Sequence, residues 1–508
     1  MAHGQVPTLL SLTFSNYGTL TALSGLFLVA YSAVRYATSP WRHLPPGPTG
    51  YPLLGSALKL LDKEWLFQEC KSYALAGELV YLNVAGQPAV VLNSQRVAAD
   101  LLDRHASTFS DRPRFIVANE VLCGGMFFAI GPDDDRWRRM RRAVHEGFSP
   151  AASVRYYGMH AEEAARLALA LAKHYTRFTA SLVLAITYDR PVLSDASREM
   201  LARIEIIDRK IDRATAPGTH LVEFFPWMLM IPQKLARWKR EAQDGFTSAS
   251  AYFNELVEDA GGVARPCLAS TLVDNQEKLA LSDDEVSWAT GTMYAIGSDT
   301  LAGALDFWTL AMVSFPETQH RAQEELDAVI GQARPPRVGD RIHLPYLEAV
   351  IREALRWRAG LPLGVPHRTN ANTWYEGMFI PKGTWCFVNV NLCNRDPAVY
   401  GADAEAFNPL RHLDEKGCLK PAPPDTKDEG HIAFGFGKRI CIGRYVANDA
   451  LFAAIATILW AFKLEKTGGV NVNAYKSGGM TLRPELFSCR FTPRFSEALA
   501  MLTQELGP

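Results

Sequence analysis

The 508-residue chain lacks the cysteine patterns of zinc-binding or disulfide-stabilised proteins. It contains no CxxC pair and no Cys/His spacing suited to zinc. A disulfide framework is also unexpected, because a chain of this length can be stabilised by its hydrophobic core. Most of the cysteines are therefore expected to be small buried residues. The eight are Cys70, Cys123, Cys267, Cys386, Cys393, Cys418, Cys441 and Cys489.

The chain also lacks an excess of charge of either sign. Its 53 Lys and Arg residues nearly balance its 54 Asp and Glu residues, for a formal net charge of -1. The composition therefore gives no global electrostatic reason to expect a nucleic-acid partner. No internal repeat is found, and the 48% hydrophobic content is that of a globular protein with a large core.

The first 34 residues contain no Lys, Arg, Asp or Glu. From Thr8 to Tyr31 the residues are mainly apolar or small, over a length sufficient for a membrane span of about 20 residues. A cleaved secretory signal is the alternative, but no Lys or Arg precedes the segment, whereas Arg35 and Arg42 follow it. We therefore predict a luminal tip and transmembrane anchor over residues 1–36, with the rest of the chain in the cytosol.

Three prolines mark the next boundary. Pro45, Pro46 and Pro48 cannot continue a helix and favour extended backbone. We predict a proline-rich hinge over residues 37–50 and one globular body over residues 51–508. Within that body, the turn-rich tract 418–430 is predicted to be a surface loop.

A long helix is predicted from a capping box at Ser282 and Glu285. No proline occurs from Glu285 to about Ser314, so the helix spans roughly 45 Å at 1.5 Å per residue. Pro316 is placed to open the following helix.

The middle of this helix carries Gly297, Ser298, Asp299 and Thr300, and two interpretations are open. In one, the Thr300 hydroxyl bonds to a carbonyl one turn earlier and Asp299 faces water. In the other, Gly297 lets another group approach the backbone while Asp299 and Thr300 handle protons.

Pro345 opens another predicted helix, in which Glu353 and Arg356 stand at i,i+3 on one face. Such pairs are usually solvated, but this helix is apolar on most sides, which favours a buried structural pair. Arg411, in the turn FNPLR, is the candidate third member.

Cys441 lies in HIAFGFGKRICIGR, directly before a predicted helix from Arg444 to about Leu464. A helix N-terminus and nearby Lys438, Arg439 and Arg444 favour an anion, so we predict that they lower the thiol pKa. The thiolate has three possible uses. A nucleophile needs a paired histidine, and His431 is ten residues away; a redox pair needs a second cysteine, and none is near. An iron ligand fits best, because the glycines admit a porphyrin and a basic residue two positions earlier can meet a propionate.

The segment FGFGKRICIG resembles the haem-binding signature of the cytochrome P450 superfamily. WRRMR, GSDT, EALR and FNPLR resemble further motifs of that family in the expected order, so the resemblance covers nearly everything after residue 45. It implies a mainly α fold with small β-sheets and a haem-thiolate catalytic domain.

The resemblance also implies a role for each matching residue. Cys441 is implied to be the thiolate ligand of haem b, with Phe434 in the same signature. Asp299 and Thr300 are implied to deliver protons. The implied propionate ligands are Trp137, Arg141, His367 and Arg439, and the implied structural cluster is Glu353, Arg356 and Arg411. For His367 the alternative is a loop histidine with a local hydrogen bond.

Three positions depart from the family pattern. Ile296 replaces a small residue before Gly297, and Leu301 replaces the hydroxyl residue that often follows the threonine. His412 replaces an aromatic residue after the cluster arginine.

The implied activity is a monooxygenase of the microsomal, fungal secondary-metabolism type in the endoplasmic reticulum membrane. It would use O2 and electrons from NADPH through a cytochrome reductase, docked on a basic face formed by Arg138, Arg139 and Arg142. The apolar segments 115–130, 221–232 and 361–366 predict a bulky hydrophobic substrate, with a terpenoid first and a polyketide or other lipid next. Two other classes stay open: a haem-thiolate isomerase or dehydratase, and a haem sensor.

Overall fold

The computed structural model of the chain describes residues 9–51, 54–57, 77–169, 175–190, 195–215, 219–260, 265–478 and 480–506. Cys70 lies outside these residues. The described part is mainly α-helical with small β-sheets, as predicted. The α-helices are α1 Leu9–Ala37, α2 Gln95–Ala99, α3 Ala106–Phe109, α4 Asp135–Phe148, α5 Pro150–Ser153, α6 Tyr157–Leu169, α7 Tyr175–Tyr188, α8 Asp195–Thr215, α9 Arg237–Ala260, α10 Leu268–Asp274, α11 Gln276–Leu279, α12 Asp283–Ser314, α13 Pro316–Val329, α14 Pro345–Trp357, α15 Val390–Cys393, α16 Pro397–Tyr400, α17 Arg444–Ala461 and α18 Ala498–Glu505.

The β-strands form small sheets beside the helical body. They are β1 Leu79–Val84, β2 Gln87–Leu92, β3 His367–Arg368, β4 Thr373–Tyr375, β5 Met378–Ile380, β6 Trp385–Val388, β7 Phe462–Lys466, β8 Tyr475–Gly478, β9 Thr481–Pro484 and β10 Cys489–Pro493. One sheet has the order β1-β2-β6-β3, in which only the β2–β6 pair is parallel, and β4–β5, β7–β10 and β8–β9 are antiparallel pairs. Strand β7 explains why α17 stops at Ala461 rather than near Leu464, because Phe462 pairs with Pro493 of β10.

The long helix α12 begins as predicted. The Ser282 hydroxyl accepts the Glu285 N–H at 3.2 Å, and the Glu285 carboxylate accepts the Ser282 N–H at 3.0 Å. The helix has 32 residues, or about 48 Å at 1.5 Å per residue. It packs against α7 and α9 through the middle of the body. Proline opens α13 and α14, also as predicted.

The predicted transmembrane anchor is not supported. Helix α1 forms where that anchor was expected, and its side chains from Thr21 onward are exposed. Among the residues that the structure describes, however, no helix combines the length and the apolar character needed to cross a membrane.

The proline-rich segment 37–50 packs on the globular body. The Tyr81 N–H on strand β1 donates to the Pro46 carbonyl at 2.8 Å. A Cβ at Gly47 would lie 1.9 Å from the Tyr81 carbonyl oxygen, so only glycine permits this approach. The Trp41 ring lies 6.2 Å from the ring of Phe379. This segment therefore has a defined path, although its predicted role as a domain boundary stays a prediction.

Candidate active site

The Cys441 loop is held by its own backbone and by one close approach. The Cys441 N–H donates to the Phe434 carbonyl at 2.8 Å, which closes the loop before α17 begins at Arg444. Gly437 has a φ of 58°, and a Cβ there would lie 2.1 Å from the Leu102 carbonyl oxygen. The glycine is therefore required for the loop to pack at this depth. The result is a sulfur fixed three residues before a helix N-terminus.

The electrostatics of Cys441 differ from the prediction. Burial raises the pKa of the Cys441 thiol, whereas the Gly443 N–H, Arg141 and Arg444 lower it, and the net shift is upward. Local positive charge lowers this pKa as predicted, but the predicted net shift toward thiolate was wrong for the free thiol, because desolvation of the charged form outweighs those contacts. A thiolate at this depth needs a stronger counter-charge, and a bound metal ion deprotonates a coordinating thiol.

Cys489 makes a useful comparison. It starts strand β10, and burial raises the pKa of its thiol without an opposing basic side chain among the described residues. At Cys441, by contrast, a hydrogen bond from the Gly443 N–H and the positive charges of Arg141 and Arg444 each lower the pKa of the thiol. This difference favours Cys441 as the thiolate ligand.

Trp137, Arg141 and Arg439 come together near the cysteine loop, as predicted. The Arg439 guanidinium lies 3.8 Å from the centroid of the Trp137 ring, and that of Arg141 lies 5.6 Å from it. Arg439 donates to the carbonyls of Ser110 at 2.8 Å and Gly131 at 2.9 Å, but its Nη1 is buried without a hydrogen-bond partner among the described residues. Burial lowers the pKa of Arg439 to about 9, so an anion beside it would stabilise its charged form.

Arg112 completes this group, and the sequence analysis missed it. Its Nη1 donates to the carbonyls of Val365 at 2.6 Å and Pro366 at 2.9 Å, while its Nε is buried and unpartnered among the described residues. Burial, then Arg439 and Arg141, lower its pKa. In the sequence, Arg112 is an arginine before Pro113 that lies outside every motif described above. Its position beside Arg439 could therefore be identified only in the folded structure.

His367 also lies at this site. Its Nδ1 hydrogen-bonds the Phe109 carbonyl at 2.8 Å, the local contact that the alternative interpretation expected. Burial and then Arg112 lower its pKa, so the ring is neutral without an anion beside it. Its Nε2 has no hydrogen bond within the described part of the chain. One ring nitrogen of His367 is thus hydrogen-bonded to the backbone, and the other is available to bind a ligand.

These residues fit the carboxylates of a haem. Arg112, Arg141 and Arg439 are largely buried and form no ion pair with an acidic side chain of the described residues. Arg112 and Arg439 each have one buried guanidinium nitrogen without a hydrogen-bond partner among the described residues. Burial lowers the pKa of both side chains. Two propionates would supply the missing charge and the missing acceptors. These residues would therefore suit a group that carries two carboxylates.

The middle of α12 shows features of both interpretations. The Thr300 hydroxyl donates to the Ile296 carbonyl at 2.9 Å, and Asp299 pairs with Arg483 at 2.5 Å while its side chain is 45% exposed. A Cβ at Gly297 would lie 3.2 Å from Val183 of α7. The group that Gly297 admits is thus a neighbouring helix. Proton delivery by Asp299 and Thr300 stays a prediction.

Thr300→Ala tests that prediction. We expect oxygenated product to fall by roughly 10²-fold, the scale of a lost proton-transfer group, while NADPH consumption continues. Product and NADPH are measured together by chromatography and absorbance. Thr290→Ala is the matched control, because the Thr290 hydroxyl also bonds back along α12, to the Val286 carbonyl at 3.2 Å. An equal loss in both variants would contradict a specific role for Thr300.

The predicted cluster of Glu353, Arg356 and Arg411 forms, and it has a fourth member. Arg356 contacts both Glu353 oxygens, at 2.7 and 2.8 Å, and Arg411 contacts one of them at 3.1 Å. His412, the departure from the family pattern, places Nε2 3.0 Å from Glu353 Oε2. Against the raising effect of burial, hydrogen bonds from Arg356 and His412 hold the pKa of Glu353 down to about 2.

The cluster also connects α14 to the loops that precede the cysteine. Arg356 donates to the carbonyls of Asn394 at 2.6 Å, Ala404 at 2.7 Å and Ala406 at 2.9 Å. The Ile432 N–H, just ahead of the cysteine loop, donates to the Asn394 side chain at 3.0 Å. One buried guanidinium therefore fixes the backbone on which the cysteine loop rests.

A mainly helical body with a glycine-rich cysteine loop and uncompensated buried guanidinium groups defines a haem-thiolate protein. Comparison with known proteins agrees: the cytochrome P450 family model matches residues 45–491. A cytochrome P450 monooxygenase of Armillaria gallica is 48% identical over 504 residues, covering 95% of this chain and 96% of its own. Cytochrome P450 monooxygenase 58 of Postia placenta is 40% identical, covering 90% of each chain. The monooxygenase iboC of Amanita muscaria is 35% identical, covering 91% and 93%.

The chain belongs to the cytochrome P450 family and is a monooxygenase, an oxidoreductase. Members use haem with a cysteine thiolate ligand, O2, a hydrophobic substrate and a redox-partner reductase.

Proposed function

We propose that this protein inserts oxygen from O2 into a hydrophobic small molecule of fungal secondary metabolism, with electrons from NADPH through a cytochrome reductase. The observation that carries the proposal is the Cys441 loop beside the guanidinium groups of Arg112, Arg141 and Arg439, which form no ion pair with an acidic side chain of the described residues. Bound haem would supply oxygen activation, which thiolate ligation favours. The chain's own residues hold the propionates, position the substrate and hold a proton at the Thr300 hydroxyl.

The surface supports a substrate that partitions into lipid. Part of the apolar segment 221–232 is exposed, with Trp227 63% and Met230 85% accessible. The segment 115–130 is instead mostly buried in the core. Exposed aromatic and Met side chains of this kind mark contact with lipid or a ligand. We propose a terpenoid as the substrate class, with a polyketide or other lipid as the alternative, and a location at the endoplasmic reticulum membrane facing the cytosol.

Co-expression with a reductase in a terpene-producing fungal or yeast host tests this function. We expect new products that carry one added oxygen, identified by mass spectrometry, and no such products when the reductase is omitted. A product formed without NADPH would instead indicate an isomerase or dehydratase. Pigmented protein without turnover in the presence of the reductase would indicate a haem sensor.

The proposed reductase-docking face is smaller than the sequence suggested. Arg139 pairs with the largely buried Glu285 at 2.6 Å, and Arg138 pairs with Asp133 and Asp135. Arg142 is exposed and forms no ion pair with the described residues. Arg142 is therefore the member of the face most available to an acidic partner.

Arg142→Glu is expected to slow the first reduction of the protein by its reductase about tenfold at low salt, because charge reversal opposes electrostatic steering. Stopped-flow absorbance of the carbon monoxide complex measures the rate. Arg237→Glu is the control, since Arg237 is exposed on α9 and pairs with Glu241, one turn along the same helix. Equal reduction rates in the wild type and Arg142→Glu would contradict reductase docking at this face.

A further inference from the structure

The turn that leads into Cys441 is held by a side chain from a distant part of the chain. The Gly437 N–H donates to Asp103 Oδ1 at 2.5 Å, across a separation of 334 residues. Because the acceptor is a carboxylate, this hydrogen bond is charge-assisted and stronger than one between neutral groups. Asp103 belongs to none of the sequence motifs described above. The contact therefore arises only from the fold.

Gly437 occupies a decisive place in the Cys441 loop. It opens the short helical turn Gly437–Arg439, and its carbonyl accepts the Ile440 N–H at 3.2 Å. Arg439 belongs to the group of residues that fits the carboxylates of a haem, and Cys441 follows Arg439 by two residues. A carboxylate that holds the Gly437 N–H therefore holds the start of the turn that leads to both side chains.

A second contact at the same place is steric. Asp103 lies on the π-helical turn Asp100–Arg104, which directly follows α2. The carbonyl of Leu102, on this same turn, is the atom that a Cβ at Gly437 would meet at 2.1 Å. Consecutive residues of the turn thus make one polar and one close backbone contact with the Cys441 loop. Together these contacts set the depth at which the loop packs.

Lys427 holds the other oxygen of Asp103. Its Nζ lies 2.8 Å from Asp103 Oδ2, and the Asp103 side chain is only 13% exposed. Lys427 has a φ of 54°, in the left-handed region, and such backbone persists only where surrounding contacts impose it. The segment around Lys427 is tied to the same π-helical turn by the Arg104–Asp425 ion pair at 2.7 Å. Both Asp103 oxygens are thus engaged, one by Lys427 and one by the Cys441 loop.

We propose that Asp103 is a positioning residue for the haem thiolate, which acts through Gly437 and is itself held by Lys427. Asp103 acts on the backbone of the loop, because its hydrogen bond is to the Gly437 N–H. Its role is to keep the loop at the depth at which Cys441 can ligate haem iron. The inference goes beyond the proposed function, because it concerns the retention of haem and not the molecule that is oxidised.

Haem transfer from the loaded protein to excess apomyoglobin tests this without substrate or reductase. Asp103→Leu removes the acceptor, and we expect it to speed haem transfer about tenfold, the scale of one lost charge-assisted hydrogen bond. The far-shifted Soret peak of its reduced, carbon monoxide-treated form should decay faster by the same factor, because the sulfur leaves the iron before haem is lost. Asp103→Asn keeps an acceptor oxygen and should stay within about threefold of the wild type.

Asp100→Leu is the matched control. Asp100 lies on the same π-helical turn and also has a polar partner at each oxygen, namely Arg104 at 2.7 Å and the Tyr375 hydroxyl at 2.8 Å. Neither partner belongs to the Cys441 loop, so this variant should transfer haem at the wild-type rate. Unchanged haem transfer in Asp103→Leu, or equal acceleration in Asp103→Leu and Asp100→Leu, would overturn the inference.

Lys427→Glu gives a second test that leaves Asp103 in place. The glutamate would set a like charge against the Asp103 carboxylate and should speed haem transfer about threefold, a modest effect because Lys427 is 45% exposed. Lys420→Glu, at an exposed lysine of the same tract, should keep the wild-type rate. If Asp103→Leu yields no folded protein, these two variants decide, and equal rates in them would overturn the inference. The proposed function is tested separately, because none of these measurements requires turnover.

Discussion

Cys441→Ser is expected to abolish the far-shifted Soret peak of the reduced, carbon monoxide-treated protein and to lower oxygenation to background. The hydroxyl is a poorer donor than a thiolate, and the electron donation that favours O–O cleavage is lost with the sulfur. The loop itself should persist, because the Cys441 N–H to Phe434 carbonyl bond does not involve the side chain. Absorbance spectra of equal amounts of pigmented protein measure the peak.

Cys489→Ser is the matched control for that experiment. Both residues are cysteines in the last quarter of the chain, but Cys489 sits on β10, away from the glycine-rich loop. It should keep the shifted peak and the activity. Loss of the peak in Cys489→Ser with retention in Cys441→Ser would reverse the ligand assignment and with it the site described above.

Glu353→Gln is expected to destabilise the protein by about 3–5 kcal/mol, the cost of removing one partner from a buried charged pair. Glu353 and Arg356 are fully buried, and the substitution leaves the positive charge of Arg356 without its counter-ion. Because Arg356 also fixes the backbone before the cysteine loop, haem-loaded yield should fall with stability. The midpoint of thermal unfolding and the pigment recovered per milligram measure the two effects.

Glu376→Gln supplies the control, since Glu376 forms a 2.6 Å ion pair with Arg96 in which both side chains are about half exposed. Such a surface pair contributes about 0–1 kcal/mol, so this variant should resemble the wild type. An equal loss in both variants would contradict the structural role of the buried cluster.

The same cluster predicts a pH dependence. The folded-state pKa of Glu353 is about 2, below its ordinary value of 4.5. Its contribution is therefore fully present above about pH 4.5 and is lost as the pH falls toward 2. The stability difference between the wild type and Glu353→Gln should shrink over that window, and a constant difference would contradict the depressed pKa.

His412 shows how a local comparison can mislead. From the sequence it was a departure that left the packing of the cluster open. In the structure it hydrogen-bonds Glu353 and adds a polar contact that an aromatic hydrocarbon cannot make. Histidine at position 412 therefore still packs in the cluster, but through a hydrogen bond. Only the distance between the His412 and Glu353 side chains shows this.

At Gly297 the sequence predicted the type of contact but not the residue that makes it. A glycine within a helix predicts that something approaches the backbone, and that was correct. What approaches is Val183 of α7, because Gly297 faces that helix. The direction in which a helical residue points depends on which helices surround it, so the sequence pattern predicted the approach but not the neighbour.

The sequence by itself determined the features that depend on neighbours in the chain: the Ser282 capping box, the proline-initiated helices, the glycine-rich Cys441 loop and the Glu353–Arg356 spacing. Hydrogen bonds and turn geometry over a few residues control these features. Only the tertiary structure decided that Arg112 joins Arg439 and that burial raises the Cys441 pKa. Desolvation and contacts between distant segments control these, and neither exists until the helices pack.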